Sequence, residues 1–272
     1  MSWTLSYCTL DRSPMFGLPD TLEAQFRAAS HAGFTMVTPD IFSLRCYRDL
    51  YGSVDGLAKV AVDCGLEVYD LSGVTITDDE ATSLAELDEF LEFARALDAT
   101  WVQSRMPVDN AESRAVYREA ARRTFDAGFG LAFEYSPFVP IKNLRSAAEF
   151  VGAVAEHCPR QALIIDTWHF YRTGDTLADL RALDPALFGY LQVDDALPLG
   201  PDLRFDTLNR RAMPGEGLLP LREFLETCIA CGLEGVISVE VMSEAHRGMP
   251  LDDYVATVAR TSHELLATVR SS

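Results

Sequence analysis

A chain of 272 residues, 48% of them apolar and 24% charged, is long enough to bury a sizeable core and fits one domain. Its formal net charge of −18 argues against a nucleic-acid surface, which needs a basic stripe for phosphates, and against an anionic membrane. A small anionic substrate is not excluded, because a local pocket can oppose the global charge.

No basic-plus-apolar segment precedes the first strand pattern, and no apolar run approaches the roughly 20 residues that span a bilayer. The six cysteines (Cys8, Cys46, Cys64, Cys158, Cys228, Cys231) are scattered through helix and strand patterns. Cys228-Ile-Ala-Cys231 has the spacing of a redox or metal pair but sits inside a helical stretch with no second pair. Packed, reduced cysteines of a cytoplasmic protein are the expectation.

Short β-like runs alternate with longer segments of helical period, the pattern of a parallel sheet covered by helices. Leu5–Thr9 reads as a strand, followed by a helix from Pro19 to Ala32 that Gly33 stops. Phe34–Thr38, a helix over Val54–Cys64 closed by Gly65, and the strand Leu66–Leu71 come next. Thr77-Asp78-Asp79-Glu80 is an N-cap and acidic first turn for a helix to about Leu97. The strand Thr100–Ser104 precedes a helix over Asn110–Ala127, and the strand Gly130–Tyr135 a helix over Leu144–Glu156. Ala162–Asp166 is the sixth strand, Leu177–Ala182 a short helix and Phe188–Val193 the seventh strand. After an irregular stretch from Asp194 to about Leu219 come a helix over Leu221–Cys231, the strand Val236–Glu240 and a helix over Leu251–Val269. Eight strand–helix units with no GxGxxG turn after the first strand predict a single (β/α)8 barrel over residues 1–272.

In such a barrel the site lies at the carboxyl ends of the strands. The fifth to eighth strands end in Glu134, Asp166, Gln192 and Glu240, each two residues after Ala132, Ile164, Tyr190 and Ser238. Side chains alternate along a strand, so all four ends can face the barrel axis. Three carboxylates cannot stay ionised close together without a cation. Oxygen donors around one centre suit Mn²⁺ or Mg²⁺ better than zinc, with Co²⁺ or Zn²⁺ as further possibilities. The bland alternative is that each acid caps a following helix, with Asp166 or Thr167 as cap and His169 on the surface. Arg105 follows the fourth strand and is positioned to bind an oxyanion at the rim, or to be a solvated arginine. Trp168 and Phe133 flank the acids as an apolar wall or as core, and Tyr7, Asp70 and Ser72 are further candidates to line the mouth.

The segments Phe133-Glu134-Tyr135-Ser136-Pro137-Phe138, Asp166-Thr167-Trp168-His169, Gln192-Val193-Asp194-Asp195-Ala196, Arg211-Ala212-Met213-Pro214-Gly215-Glu216-Gly217 and Ser238-Val239-Glu240-Val241 resemble the xylose-isomerase-like barrels. These include sugar isomerases, ketose 3-epimerases, inosose dehydratases and 3-dehydroshikimate dehydratases. The resemblance runs from about Gly130 to Glu244 and implies that Glu134, Asp166, Gln192 and Glu240 hold one divalent cation. It implies that His169 and Arg211 contact substrate oxygens. Most members carry His where this chain has Gln192; the dehydroshikimate dehydratases share the Gln and the following Asp-Ala.

A cation with open positions can hold two neighbouring oxygens of a hydroxy-ketone and make the adjacent C–H acidic, with the developing enediolate stabilised on it. Glu134 and Glu240 are then the residues to remove and return the proton, giving epimerisation or isomerisation. Loss of a β-hydroxyl instead, with His169 as acid or base, gives a dehydratase. The expected partner is a small polyhydroxylated molecule; the resemblance also suggests a homodimer or homotetramer. An apurinic-site endonuclease shares the barrel but needs several histidines for zinc, and a catalytically silent sugar-binding barrel would bind without proton exchange.

Overall fold

A computed structural model describes residues 3–269 as a closed barrel of eight parallel strands with helices outside. The strands are β1 (Thr4–Cys8), β2 (Met36–Thr38), β3 (Glu67–Val68 and Asp70–Thr75, interrupted at Tyr69), β4 (Trp101–Arg105), β5 (Gly130–Glu134), β6 (Gln161–Asp166), β7 (Phe188–Val193) and β8 (Val236–Val239). β1 pairs with β2 on one side and β8 on the other, and pairing runs on through β7, β6, β5 and β4. The ring closes through β3, whose first part pairs with β2 and whose second part pairs with β4.

Alternation along the strands separates two apolar bodies. Leu131, Phe133, Leu163, Ile165, Leu191, Val193, Ile237 and Val239 face outward and join the helices in the main core. Ala132, Ile164, Tyr190 and Val236 face inward and meet Met36, Tyr69 and Trp101 in the barrel floor. Gly130 makes room there, since a β-carbon on it would lie 2.2 Å from the Trp101 ring.

The cap read at Thr77–Glu80 forms, and a second one joins it. Asp79 accepts from the Thr82 amide at 3.1 Å, and Asn110 and Ser113 make a reciprocal capping box at the head of Ala111–Asp126. Three elements differ from expectation. A helix over Ile41–Tyr51 was passed over, although Asp40 caps it and Gly52, at φ 84°, ends it. Residues 194–219 are not irregular throughout: they hold a helix, Leu203–Asn209, and a two-stranded ribbon of Asp195–Ala196 with Arg211–Ala212. Thr167–Thr173 is also helical. Tyr7 turns away from the mouth, donating to Gln25 Oε1 on the first helix at 3.1 Å, and Phe133 packs outward on Tyr117 and Phe150.

All six cysteines are free. No helix among the described residues is long and apolar enough to cross a membrane.

Candidate metal and substrate site

Parallel register sets the strand ends level with one another. Asp166 lies beside Gln192, and Gln192 beside Ser238, with Glu240 two residues on and its amide donating to Val193 O at 3.3 Å. Glu134, Asp166 and His169 each offer a ligand atom within 4.8 Å of the others. His169 Nε2 is 3.4 Å from Glu134 Oε1. Sequence reasoning gave His169 to the substrate; the structure brings its ring into the same cluster as the acids.

Asp166 is also a helix cap. Its Oδ1 accepts from the His169 amide at 2.7 Å, so the strand-end acid holds the first turn of the helix that carries the imidazole. The capping and site readings of this residue are therefore both true of its geometry. Asp194, part of the quoted motifs but given no role, caps the same turn: its Oδ1 accepts from Thr167 Oγ1 at 2.8 Å and the Trp168 amide at 3.1 Å.

Arg211 reaches into this acid set from the ribbon and is 1% exposed. Its Nη1 donates to Asp166 Oδ2 at 2.7 Å and, more closely, to Asp194 Oδ2, and lies 3.3 Å from Glu240 Oε2. Nε and Nη2 donate to Thr207 O and Oγ1, each at 3.0 Å. Burial works to raise the Asp166 pKa, but Arg211 and His169 together hold it below the ordinary carboxylate value. Burial pushes Asp194 up to about 7 against the pull of Arg211. Glu240 is pushed well above its ordinary value by burial, with Glu134, Asp166 and Asp194 adding to the rise.

Gln103, unassigned from sequence, donates from Nε2 to Glu134 Oε2 at 2.7 Å. A carboxylate can only accept, so the amide is oriented with its Oε1 left bare. The available signal was its place, two residues before Arg105 near the end of β4. Trp168 stacks on Phe138 at 6.3 Å between ring centres, and Phe138 meets the His169 ring edge-on at 6.2 Å. Arg105 is exposed at the rim and donates to Thr75 Oγ1 at 3.1 Å. Asp70 lies within the barrel, accepting from Tyr190 Oη at 2.7 Å and from Thr38 Oγ1; burial raises it to about 6.

The donor set fits a cation on an observation independent of the acids. Both polar atoms of the Gln192 amide and Nδ1 of His169 are buried without a protein partner. Buried polar groups ordinarily find one, so Gln192 Oε1 and His169 Nδ1, beside clustered carboxylates, are two lone-pair atoms able to take a cation. Glu134, Asp166 and His169 form the compact ligand cluster, with the Gln192 amide beside it; Glu240, expected as a fourth ligand, stands outside that cluster and pairs with Arg211 instead.

Residues 26–266 match the model of the xylose isomerase-like TIM barrel family. An inosose isomerase of Halalkalibacterium halodurans is 26% identical over 144 residues, 52% of this chain and 49% of the relative. The chain thus spans about half the length of the curated relatives it matches. The solved structure of the IOLI protein with a binding zinc atom shares the fold at a TM-score of 0.86, with 18% identity over 99% of this chain and 100% of that one. A probable 3-DHS dehydratase, AsbF of Bacillus anthracis, does so at 0.75, with 14% identity over 97% and 99%. With the barrel, the strand-end acids and a family match over most of its length, the chain belongs to the xylose isomerase-like TIM barrels.

Proposed function

We propose that this chain is a divalent-cation-dependent isomerase or epimerase of a sugar or cyclitol hydroxy-ketone, working by proton transfer beside the carbonyl. The observation that carries the reading is the convergence of Glu134, Asp166 and His169 within 4.8 Å, next to the unpartnered amide of Gln192. The inosose isomerase relatives support a cyclitol ketone as the substrate class. When bound, the cation polarises the carbonyl and makes the neighbouring C–H acidic. Carboxylate and amide oxygens favour Mn²⁺ or Mg²⁺, and the His169 nitrogen extends the range to Co²⁺ or Zn²⁺.

Glu134 and Glu240 are the two bases. Gln103 steadies Glu134 through Oε2, leaving Oε1 toward His169. Glu240, buried at the end of the eighth strand, is the second group placed to return the proton. Delivery to the opposite face of the same carbon gives epimerisation; delivery to the neighbouring carbon gives isomerisation. Trp168 and Phe138, stacked beside His169, would supply an apolar wall to the pocket. Six free cysteines suit the reducing cytoplasm, where such an enzyme would work.

One observation favours a second reading. His169 Nε2 lies 3.4 Å from Glu134 Oε1, which would put an acid beside the base and allow a β-hydroxyl to leave, as in a dehydratase. The test is to strip the protein with a chelator and assay it on ketoses and inososes, following chirality for epimers and ultraviolet absorbance for a new conjugated enone. Turnover should vanish and return with Mn²⁺; a stripped protein that keeps full activity rules the cation out.

A further inference from the structure

We propose that Asp194 is a positioning residue that keeps Asp166 and Glu240 available to the cation by taking a share of the Arg211 charge. The inference rests on the cation reading above. Asp194 follows β7, two residues after Gln192, and is wholly buried. Its Oδ1 and its own amide bind the Thr167 hydroxyl, and Oδ1 also takes the Trp168 amide, which ties the end of β7 to the helix that Asp166 caps and His169 rides on. Its Oδ2 takes Arg211 Nη1, the same nitrogen that reaches Asp166 Oδ2 at 2.7 Å and lies 3.3 Å from Glu240 Oε2.

Arg211 is therefore one buried positive charge shared among three acids, anchored by Thr207 on its other edge. Each acid that holds part of that charge leaves more of the others' lone pairs for a cation. If Asp194 loses its charge, the guanidinium pairs fully with Asp166 and Glu240, the oxygens a cation needs. The local negative potential falls at the same time. Both effects weaken cation binding, so the sign of the outcome is fixed. Each guanidinium nitrogen donates within the protein and the side chain is 1% exposed, so Arg211 acts on the site through Asp166 and Glu240.

Asp194→Asn keeps the shape and the acceptor for Thr167 and Trp168 while removing the charge. Titration of the stripped protein with Mn²⁺, read by calorimetry, should show binding about 10–100-fold weaker than in the parent, the range for groups that orient ligands. The d–d spectrum of the Co²⁺ form should change, whatever stability is lost where the Asn amide meets Arg211 Nη1. A plain packing pair predicts a less stable protein with parental Mn²⁺ affinity and Co²⁺ spectrum, and that result overturns the proposal. If Asp194→Asn does not fold, Thr207→Ala loosens the same arginine from its other edge. It should then pair more closely with the acids and weaken Mn²⁺ binding several-fold; unchanged binding overturns the proposal. Failure of the parent itself to bind any divalent ion removes the cation reading, and with it this inference, by a separate route.

Discussion

Inside one barrel, the hydroxyl layer of Ser6, Thr38, Asp70, Tyr190 and Ser238 and the layer of Glu134, Asp166, His169 and Gln192 above it are both polar and largely buried, yet only the lower one is closed. In the lower layer Thr38 Oγ1 meets Ser6 Oγ at 2.9 Å and Ser238 Oγ at 3.1 Å, and Asp70 takes both Thr38 and Tyr190. Asp70 thus has a donor on each oxygen. In the upper layer, the Gln192 amide and His169 Nδ1 have no protein partner. Leaving a buried polar group unmade costs about 1–3 kcal/mol, so a closed network serves the fold and an open one serves something that arrives.

Five substitutions probe the two layers and the rim, from the largest expected effect to the smallest. Glu134→Gln and Glu240→Gln should each cut turnover by about 10²–10⁴-fold, the worth of a positioned acid or base, while circular dichroism stays that of the parent. A variant that turns over at the parental rate removes that glutamate from the proton-transfer scheme.

Asp70 belongs to the closed layer, and its effect should fall on stability. Its folded pKa is about 6 against an ordinary 3.8, so the folded state keeps its proton longer than the unfolded one. That contribution is complete below about pH 4 and is lost as pH rises through about 6, a decline on the order of 2–3 kcal/mol. Urea unfolding in chelator should show this fall in the parent and a shallower one in Asp70→Asn; equal slopes would contradict it.

Gln192→Leu should do the opposite of an ordinary polar-to-apolar change. With the unpartnered amide gone, the stripped protein should gain on the order of 1 kcal/mol while Mn²⁺ binding weakens. A loss of stability in chelator would mean that the amide is satisfied after all. Arg105→Ala, at the exposed rim, should shift stability by no more than about 0.5 kcal/mol, with any effect confined to KM.

The barrel was legible because its periods are strong: apolar strands stopped by Glu134, Asp166 and Gln192, and helices ended by Gly33, Gly65 and Gly128, recur at even spacing. Inward and outward parity followed from the same runs, which is why Ala132, Ile164 and Tyr190 fall in the floor as expected. What escaped was set by contacts distant in sequence. The helix Ile41–Tyr51 is the exception, burying Ile41, Leu44 and Tyr47 on one stripe that is a local signal. Tyr7 and Phe133 point away from the site because strand parity sends them to Gln25 and to Phe150. Gln103 lies in no quoted motif, and Asp194 lies in one without a role of its own. Their roles come from Glu134, 31 residues away, and Arg211, 17 residues away.

The most direct measurement is proton exchange, followed by NMR, when inososes and ketoses are incubated in D₂O with the Mn²⁺-loaded protein. The account predicts deuterium at the carbon beside the carbonyl, absent in the stripped protein and in both glutamine variants. Exchange that persists without a cation, or turnover of a ketone with no solvent deuterium in the product, would contradict it.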